Sequence, residues 1–267
     1  MKWWRITLVI FGALIVTALG IDAADTISGK EGTLLSRVIE TQEGRCPSGM
    51  VEVSAVPGIT CVDQYEISTS EGCPIENPQS LVESQKNVDT RDCSGQPNEG
   101  KEPWGYVTRE QALQVCSRDG KRLPTAAEWY ALTIGMIDVE KVCNIDSKKR
   151  SPSGAYAECK TGYGAHDLVG NLWEWVSDDV IEGKINGRTL PENGYVAQVD
   201  SGGIAITTHT EEQELFGNDY FWAPSEGAFG MIRGGYYDSG TDGGVYAVHA
   251  DTMTNAASAG IGFRCVI

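Results

Sequence analysis

The alternation of apolar and polar positions divides the chain into an apolar leader, a polar stretch and a long mixed region. Residues 6–20 are apolar apart from two threonines, and they follow a positively charged segment. This order is typical of a secretory signal, and the run is shorter than the roughly 17–25 residues of a membrane-spanning helix. We therefore predict a signal peptide or signal anchor over residues 1–21, a stalk or linker over residues 22–45, and a folded domain over residues 46–267.

Inside the domain, short runs of alternating apolar residues predict strands at residues 51–53 and 60–63. Residues 75–105 are dense in Pro, Asn, Ser and Gly, so we expect irregular structure there. Residues 177–230 contain short Val, Ile and Thr runs separated by Gly, Asn and Pro, which is typical of short strands and turns.

Two helices are predicted between these regions. Thr108 caps the first, and residues 112–116 place four apolar side chains on one helical face. Thr125 caps the second, with Glu128 three residues later as its capping-box partner and Trp129 on the apolar side.

The end of the domain has an unusual vocabulary. Residues 236–260, which we call the C-terminal tract, contain no Lys, Arg, Glu, Gln, Pro, Trp or Cys. The tract lies between Arg-Gly-Gly at residues 233–235 and Ile-Gly-Phe-Arg-Cys at residues 261–265. Glycine-rich ends and a filling of short polar and tyrosine side chains favour a contact surface. The alternative is a surface loop rich in glycine and alanine.

Charge excludes several classes of partner. The net charge of -16 and the isoelectric point near 4.6 argue against nucleic acid, because phosphate binding needs a basic surface. An acidic surface is also a poor match for anionic lipids, so membrane contact is expected only through the N-terminal segment, if it stays uncleaved. The acidity favours solubility in an extracellular medium.

The eight cysteines agree with export, because an oxidising compartment makes disulfides the default. No two of them form a C-x-x-C motif, so a zinc site is not expected. Spacing suggests three local pairs and one long one. The predicted pairs are Cys46 with Cys61, Cys73 with Cys93, Cys143 with Cys159, and Cys116 with Cys265.

Four motifs occur in order along the domain. They are Gly-Lys-Arg-Leu-Pro-Thr-Ala-Ala-Glu-Trp at residues 120–129, Asp-Leu-Val-Gly-Asn-Leu-Trp-Glu-Trp at 167–175, the Arg-Gly-Gly, and Gly-Phe-Arg-Cys at 262–265. The series resembles the formylglycine-generating enzyme (sulfatase-modifying factor) domain, a variant of the C-type lectin fold. The resemblance implies an α+β domain with two main helices and irregular, mostly antiparallel sheets, stapled here by disulfides.

The chemistry of that enzyme family does not carry over. Formylglycine-generating enzymes oxidise a substrate cysteine with a copper-binding cysteine pair that follows the Arg-Gly-Gly motif, and thiolates suit copper because both are soft. Ser239 and Gly244 stand near the corresponding positions here. Related sulfoxide synthases need a histidine-bound iron, whereas His166, His209 and His249 are well separated and are better interpreted as core or solvated side chains. We expect no catalytic residues and no copper.

A calcium ion sits at the 167–175 motif in the resembling family. Its ligands here would be the hard oxygens of Asn171, the Leu172 carbonyl and Glu174. The alternative is that Asn171 turns the backbone and Glu174 pairs with an arginine. Trp173 and Trp175, which flank Glu174, are predicted as core.

The region 233–264 also resembles the variable region of diversity-generating retroelement target proteins. In those proteins the adenines of a template are randomised while the remaining codons hold the scaffold. Asparagine codons changed at adenine give the residue types of the C-terminal tract, with Met253 as the one departure. The resemblance implies a hypervariable ligand-binding face on a lectin-like scaffold.

We predict the ligand contacts within this variable region. Tyrosines offer large, rigid contact area, and short polar groups lose little entropy on ordering. Arg233 and Arg264 are predicted as buried scaffold residues, and residues 217–222, with Tyr220, Phe221 and Trp222 as core, are expected to pack beside the tract. The predicted ligand-binding residues are Tyr236, Tyr237, Asp238, Ser239, Thr241, Asp242, Tyr246, Val248, His249, Asp251 and Asn255.

The sequence therefore predicts an exported, secreted or cell-surface protein that binds a macromolecular ligand. A protein on another cell or virus is the favoured class of ligand, and a glycan stays open. Two alternatives are a copper-dependent cysteine oxidase, which the shared fold suggests, and a structural component of the cell surface.

Overall fold

The computed structural model describes residues 46–136, 142–224 and 226–267. Contacts divide the chain into two compact units, Met1–Cys46 and Pro47–Ile267, and every described residue except Cys46 belongs to the second unit. Among the described residues, no helix combines the length and the apolar character that crossing a membrane requires. The predicted signal segment and stalk lie outside the described residues.

The described ranges contain three α-helices, which are α1 (Leu81–Asp89), α2 (Arg109–Arg118) and α3 (Ala126–Leu132). Helices α2 and α3 confirm the two predicted from the sequence. The Thr108 side chain accepts a hydrogen bond from the Gln111 N–H, and the Thr125 side chain accepts one from the Glu128 N–H. Both side chains close capping boxes, which satisfy amide groups that the first helical turn leaves without partners.

Helix α1 corrects the prediction of irregular structure over residues 75–105, and with it the description of two main helices. Ser80 caps this helix by accepting a hydrogen bond from the Glu83 N–H at 3.3 Å. The Glu83 carboxylate in turn accepts one from the Gln79 N–H at 2.6 Å. The Ser-x-x-Glu spacing was therefore visible in the sequence, but the surrounding Pro and Asn residues obscured it.

Thirteen strands form the remaining regular structure of the described residues, together with two 3₁₀ turns at Glu214–Phe216 and Gly240–Asp242. The first two strands confirm those predicted near residues 51–53 and 60–63. The strands are β1 (Met50–Glu52), β2 (Cys61–Asp63), β3 (Ser68–Thr69), β4 (Gly95–Gln96), β5 (Trp173–Ile181), β6 (Lys184–Ile185), β7 (Arg188–Thr189), β8 (Gly194–Val199), β9 (Ala205–His209), β10 (Tyr220–Trp222), β11 (Ala228–Arg233), β12 (Val248–Thr252) and β13 (Ile261–Gly262).

One large sheet organises the domain. Its strands run in the order β7-β6-β5-β11-β12-β10-β8-β9, and β13 pairs with β5 off this path. Most neighbours are antiparallel, but β10 pairs with β12 in parallel, with Trp222 opposite His249. Two small sheets, β1-β2 and β3-β4, complete the mixed α+β architecture.

The two faces of the large sheet bury different side chains. Met231 and Val248 belong to one buried cluster, together with Trp129 of α3. Ile232 belongs to a second cluster, together with Val115 of α2. Consecutive strand residues point to opposite faces, so the adjacent residues 231 and 232 pack in different clusters. The sheet is thus a layer with apolar contacts on both sides.

Disulfides staple this architecture. The predicted pairs Cys73–Cys93, Cys116–Cys265 and Cys143–Cys159 are confirmed, and Cys46 and Cys61 are each disulfide-bonded as well. The Cys116–Cys265 bond joins α2 to the end of the domain across a sequence separation of 149. Closing so long a loop restricts the unfolded chain strongly, which favours the folded state.

Candidate binding surface at the C-terminal tract

Arg233 fixes the start of the C-terminal tract from inside the fold. Its side chain is fully buried and donates hydrogen bonds to four carbonyl oxygens, those of Ala126 at 2.7 Å, Gly202 at 3.0 Å, Gly203 at 2.8 Å and Val245 at 3.1 Å. Burial lowers the pKa of the Arg233 guanidinium to about 10, so the group stays charged at neutral pH. The predicted role of Arg233 as a buried scaffold residue is confirmed.

The two glycines after Arg233 are required by the backbone. Gly234 has a φ of +95°, and a Cβ there would lie 2.2 Å from the carbonyl oxygen of Leu168. Gly235 has a φ of +88°, and its Cβ would lie 2.8 Å from the Cα of Gly243. Side chains at either position combine an unfavourable conformation with a backbone clash, which accounts for the Arg-Gly-Gly motif.

Arg264 fixes the other end. It is fully buried, and its guanidinium contacts the Glu174 carboxylate, with Nη2 2.6 Å and Nε 2.8 Å from Oε1. It also donates to the carbonyls of Asp63 at 3.0 Å and His166 at 2.7 Å. Burial acts to lower the pKa of Arg264, but the nearby Glu174 charge outweighs it and the pKa is raised. The prediction of a scaffold role is confirmed here too.

Two further buried acids lie beside this ion pair. Burial raises the pKa of Asp167 to about 6. Burial, followed by repulsion from Asp167 and Glu174, raises the pKa of Glu66 well above its ordinary value. Three carboxyl groups therefore surround one guanidinium, and protonation relieves the excess of negative charge.

The side-chain oxygens of Asn171 and Glu174, two of the three suggested calcium ligands, already accept hydrogen bonds from other groups. Both oxygens of Glu174 accept hydrogen bonds from Arg264, and Oε2 also accepts one from Trp129 at 2.7 Å. The Asn171 side-chain oxygen accepts two, at 3.0 and 2.9 Å, and Asn171 has a φ of +59°. The set Asn171, Leu172 and Glu174 as arranged does not fit a calcium ion. It matches the alternative of a backbone turn and a carboxylate–arginine pair.

Strand β12 places part of the tract at the surface. His249 and Asp251 are half-buried on one face, and the His249 Nδ1 lies 2.9 Å from the Asp251 Oδ1. Val248 and Ala250 are fully buried on the other face. Val248 therefore cannot contact a ligand, which corrects its inclusion in the predicted set. The reason is the phase of the pleat, which turns residues 248 and 250 into the core.

The beginning of the tract forms a compact surface turn. The rings of Tyr236 and Tyr237 lie 4.8 Å apart, and both side chains are half-buried. The Ser239 hydroxyl accepts a hydrogen bond from the Tyr236 N–H at 2.9 Å. Asp238 is exposed and pairs with Lys148 at 2.7 Å, a partner from outside the tract. Of the other predicted contacts, Thr241 and Asn255 are exposed and Asp242 is half-buried.

Tyr246 does not share this surface. It packs against the cluster on the opposite sheet face, with its ring 5.8 Å from Tyr130 and 5.2 Å from Phe216. There it lines a cavity of about 690 Å³. Tyr236 packs against the other cluster. The tyrosines of the tract are therefore divided between two sides of the sheet.

The structure also brings His249 together with four aromatic residues from outside the tract, three of which (Trp173, Tyr220 and Trp222) the sequence prediction assigned to the core. Trp222 stacks on His249, with ring centroids 3.9 Å apart and planes 8° from parallel. Trp173 contacts His249 edge-on at 5.0 Å, Tyr220 lies 4.8 Å from Trp222, and Tyr195 lies 5.2 Å from Tyr220. We call these five residues the aromatic row.

The prediction for residues 220–222 was right only for Phe221, which is fully buried. Tyr220 and Trp222 lie on the opposite pleat of β10 and are half-buried. Alternation around Phe221 was a usable signal for this split. The pairing with β12, which places Trp222 against His249, was not visible in the local sequence.

The remaining two histidines lie outside the tract, and the cysteines are all in disulfide bonds. His166 stacks on Tyr65 at 5.1 Å, and His209 is exposed on β9. All eight cysteines of the sequence fall in the described ranges, and none is free. In the same ranges, no three His, Cys, Asp or Glu side chains form a group suited to a metal ion.

Comparison with known sequences identifies one family. The Sulfatase-modifying factor enzyme 1-like domain matches residues 134–267, which is half of the chain. Three of the four motifs fall inside this match, and the motif at residues 120–129 precedes it. Hercynine oxygenase of Mycolicibacterium smegmatis is 24% identical over 162 residues, which cover 51% of this chain and 30% of that protein. This chain thus spans less than a third of that relative's length.

Two solved structures resemble the chain at low similarity. The Major Tropism Determinant U1 variant has a TM-score of 0.46 and 17% identity, with 84% of this chain and 53% of that chain covered. Treponema denticola variable protein 1 has a TM-score of 0.44 and 13% identity, with 82% and 91% covered.

Proposed function

We propose that this chain, which belongs to the sulfatase-modifying factor enzyme 1-like domain family, is a ligand-binding member of that family and not an oxidase. One observation carries the proposal. Half-buried and exposed polar and aromatic side chains of the C-terminal tract stand between two ends fixed by buried arginines and backbone-required glycines. Such an arrangement lets surface side chains change while the frame is kept.

The cysteines support a role without the family's copper chemistry. A thiolate binds copper only when it is not part of a disulfide, and every cysteine of this chain is disulfide-bonded. Ser239, near one expected cysteine position, uses its hydroxyl to accept the Tyr236 N–H. Gly244, near the other, has no side chain.

The residue vocabulary of the tract supports diversification by a retroelement. Every residue type in it except Met253 follows from asparagine codons changed at adenine, and Met253 is well exposed at 63%. We infer an exported protein whose tract contacts a macromolecular ligand, with a protein surface as the favoured class. The disulfides support export, because they persist in oxidising compartments.

The flanking DNA tests the diversification. We expect a reverse transcriptase gene and a near-identical template repeat that differs from the tract codons at adenines. The codons for Arg233, Gly234 and Gly235 should be identical in the gene and in the template repeat. A neighbourhood without such a repeat would contradict the proposal.

A protein-level experiment tests the division between frame and filling. A combined variant with Asp238→Asn, Thr241→Ser and Asn255→Ser, all at exposed positions, should keep the melting temperature within about 5 °C, because exposed substitutions rarely cost more than ~0.5 kcal/mol each. Gly234→Ala should lower it much further because of its backbone clash. Equal losses in the two variants would show that the tract is structural.

A further inference from the structure

The aromatic row extends the candidate surface beyond the tract. Only His249 belongs to the C-terminal tract, whereas Tyr195, Tyr220, Trp222 and Trp173 come from β8, β10 and β5. Cross-strand pairing aligns the rings, since Tyr220 lies opposite Tyr195 and Trp222 opposite His249. Four of the five rings therefore lie outside the tract, so a sequence change in the tract alters one ring of five.

The row is open to solvent along most of its length. Tyr195, Tyr220 and Trp222 are half-buried, and the His249 side chain is 27% exposed. Trp173, at the other end of the row, is buried at 6% exposure and packs edge-on against the His249 ring. Partly exposed Trp and Tyr residues in a contiguous group are typical of binding hot spots.

Acidic side chains lie near the row, and the one in direct contact with it is Asp251, whose Oδ1 is 2.9 Å from the His249 Nδ1. Desolvation, followed by the charges of Asp242, Glu212 and Glu211, raises the pKa of the Tyr195 hydroxyl. Desolvation and Glu212 raise the pKa of Asp242. Asp251 adds a fourth carboxylate beside His249. Among the described residues, none of these four carboxylates forms an ion pair with a lysine or arginine.

We propose that the aromatic row and its acidic border bind arginine or lysine side chains on the surface of a basic partner protein. The inference rests on the proposed function in taking this side of the sheet as the ligand-facing side. A guanidinium gains from lying over Trp and Tyr faces and from nearby carboxylates at the same time. The row thus provides a fixed preference for basic surfaces, and the tract adds the contacts that vary.

Peptide binding tests the proposal with the whole chain. The probe is a fluorescently labelled peptide of alternating arginine and glycine, measured by anisotropy at physiological ionic strength. A glutamate–glycine peptide and the neutral sugar maltoheptaose, the latter followed by Trp fluorescence, serve as the other probes. We expect the arginine peptide to bind and the other two to show no binding.

Two variants locate the binding. Trp222→Leu should weaken it about tenfold, and Glu211→Gln combined with Glu212→Gln about fivefold. The matched control, Glu71→Gln combined with Asp92→Asn, removes the same charge from exposed residues near the Cys73–Cys93 disulfide. It should change the affinity by less than about twofold. Unchanged circular dichroism and melting temperature will show that each variant is folded.

Several results would overturn the proposal. Equal weakening by the two double variants would mean that the peptide senses only net charge. Binding of maltoheptaose that Trp222→Leu abolishes would assign the row to glycans. No binding of the arginine peptide would exclude a basic partner at the row. None of these results touches the test of the template repeat, so a failure of the row and a failure of the diversified surface are distinguishable.

Discussion

Arg233 and Arg264 are both fully buried at the ends of the same tract, yet their charges are held in different ways. Arg233 donates to backbone carbonyls from three separate segments, and burial lowers its pKa to about 10. Arg264 contacts a buried carboxylate, Glu174, and its pKa is raised. The carbonyl dipoles around Arg233 stabilise its buried positive charge from several segments of the chain. At Arg264, a single contact with one carboxylate stabilises most of the charge.

The difference between the two arginines shows how each one fixes its end of the tract. The Arg233 carbonyls belong to α3, to residues 202–203 and to Val245 within the tract, so this arginine gathers loops. Arg264 joins β5 to the end of the domain and sits among three acids. Removing Arg264 leaves the buried Glu174 carboxylate without its ion-pair partner, whereas removing Arg233 takes the donor chiefly from backbone carbonyls.

The largest expected effect follows from Arg264→Met. Glu174 would then remain buried with Asp167 and Glu66 and without a cation. We expect a loss of about 3–5 kcal/mol in the free energy of unfolding, measured by urea denaturation. Arg91→Met, at an exposed arginine, is the control and should cost at most about 0.5 kcal/mol. Similar losses in the two variants would contradict the role of the ion pair.

Arg233→Met should cost less, about 2–4 kcal/mol, because unpaired carbonyls are less costly to bury than an unpaired carboxylate. Hydrogen exchange should become faster at residues 202–203 and around Val245, whose carbonyls lose their donor. The comparison between the two arginines fails if Arg233→Met is as destabilising as Arg264→Met.

The acids around Arg264 predict a pH dependence. An acid whose pKa is raised by folding stabilises the fold while it is protonated. For Asp167 this contribution is complete below the unfolded value of 3.8 and is lost as the pH rises through about 6. The unfolding free energy of the wild type relative to Asp167→Asn should therefore fall by roughly 2–3 kcal/mol between about pH 4 and pH 7.

Asp92→Asn provides the control for this titration because Asp92 is exposed. This substitution should change the free energy of unfolding by at most about 0.5 kcal/mol. A constant difference between wild type and Asp167→Asn would mean that Asp167 does not titrate differently in the folded protein.

The smallest effect is expected from metal removal. The side-chain oxygens of Glu174 and Asn171 already accept hydrogen bonds from protein groups. A chelator should therefore shift the melting temperature by less than about 1 °C, and added calcium should also shift it by less than about 1 °C. A shift of several degrees in scanning calorimetry would restore the calcium site of the resembling family.

Local signals explain what the sequence predicted well. The caps of α2 and α3 lie within three residues of their partners, so they can be identified in one short window. Arg233 and Arg264 could be assigned to the scaffold because each belongs to a short motif that contains glycine. Helix α1 was missed although Ser80 and Glu83 carry the same kind of signal.

Non-local pairing explains what was missed. The aromatic row needs four strands that are distant in sequence, and the parallel β10–β12 contact aligns two of its rings. The error at Val248 was one of phase, since the start of β12 decides which residues face the core. The placement of Tyr246 with Tyr130 depends on α3, which lies more than a hundred positions earlier.

The position of β12 inside the large sheet has a consequence for aggregation. Its backbone groups pair with β11 on one side and with β10 on the other, so the strand that carries His249 and Asp251 offers no free edge. An exposed edge strand is a template on which other chains can add strands. A varying sequence on such an edge would repeatedly produce edges that are prone to aggregation. In an interior strand such as β12, the side chains can vary while the backbone hydrogen bonds remain paired within the sheet and unavailable to other molecules.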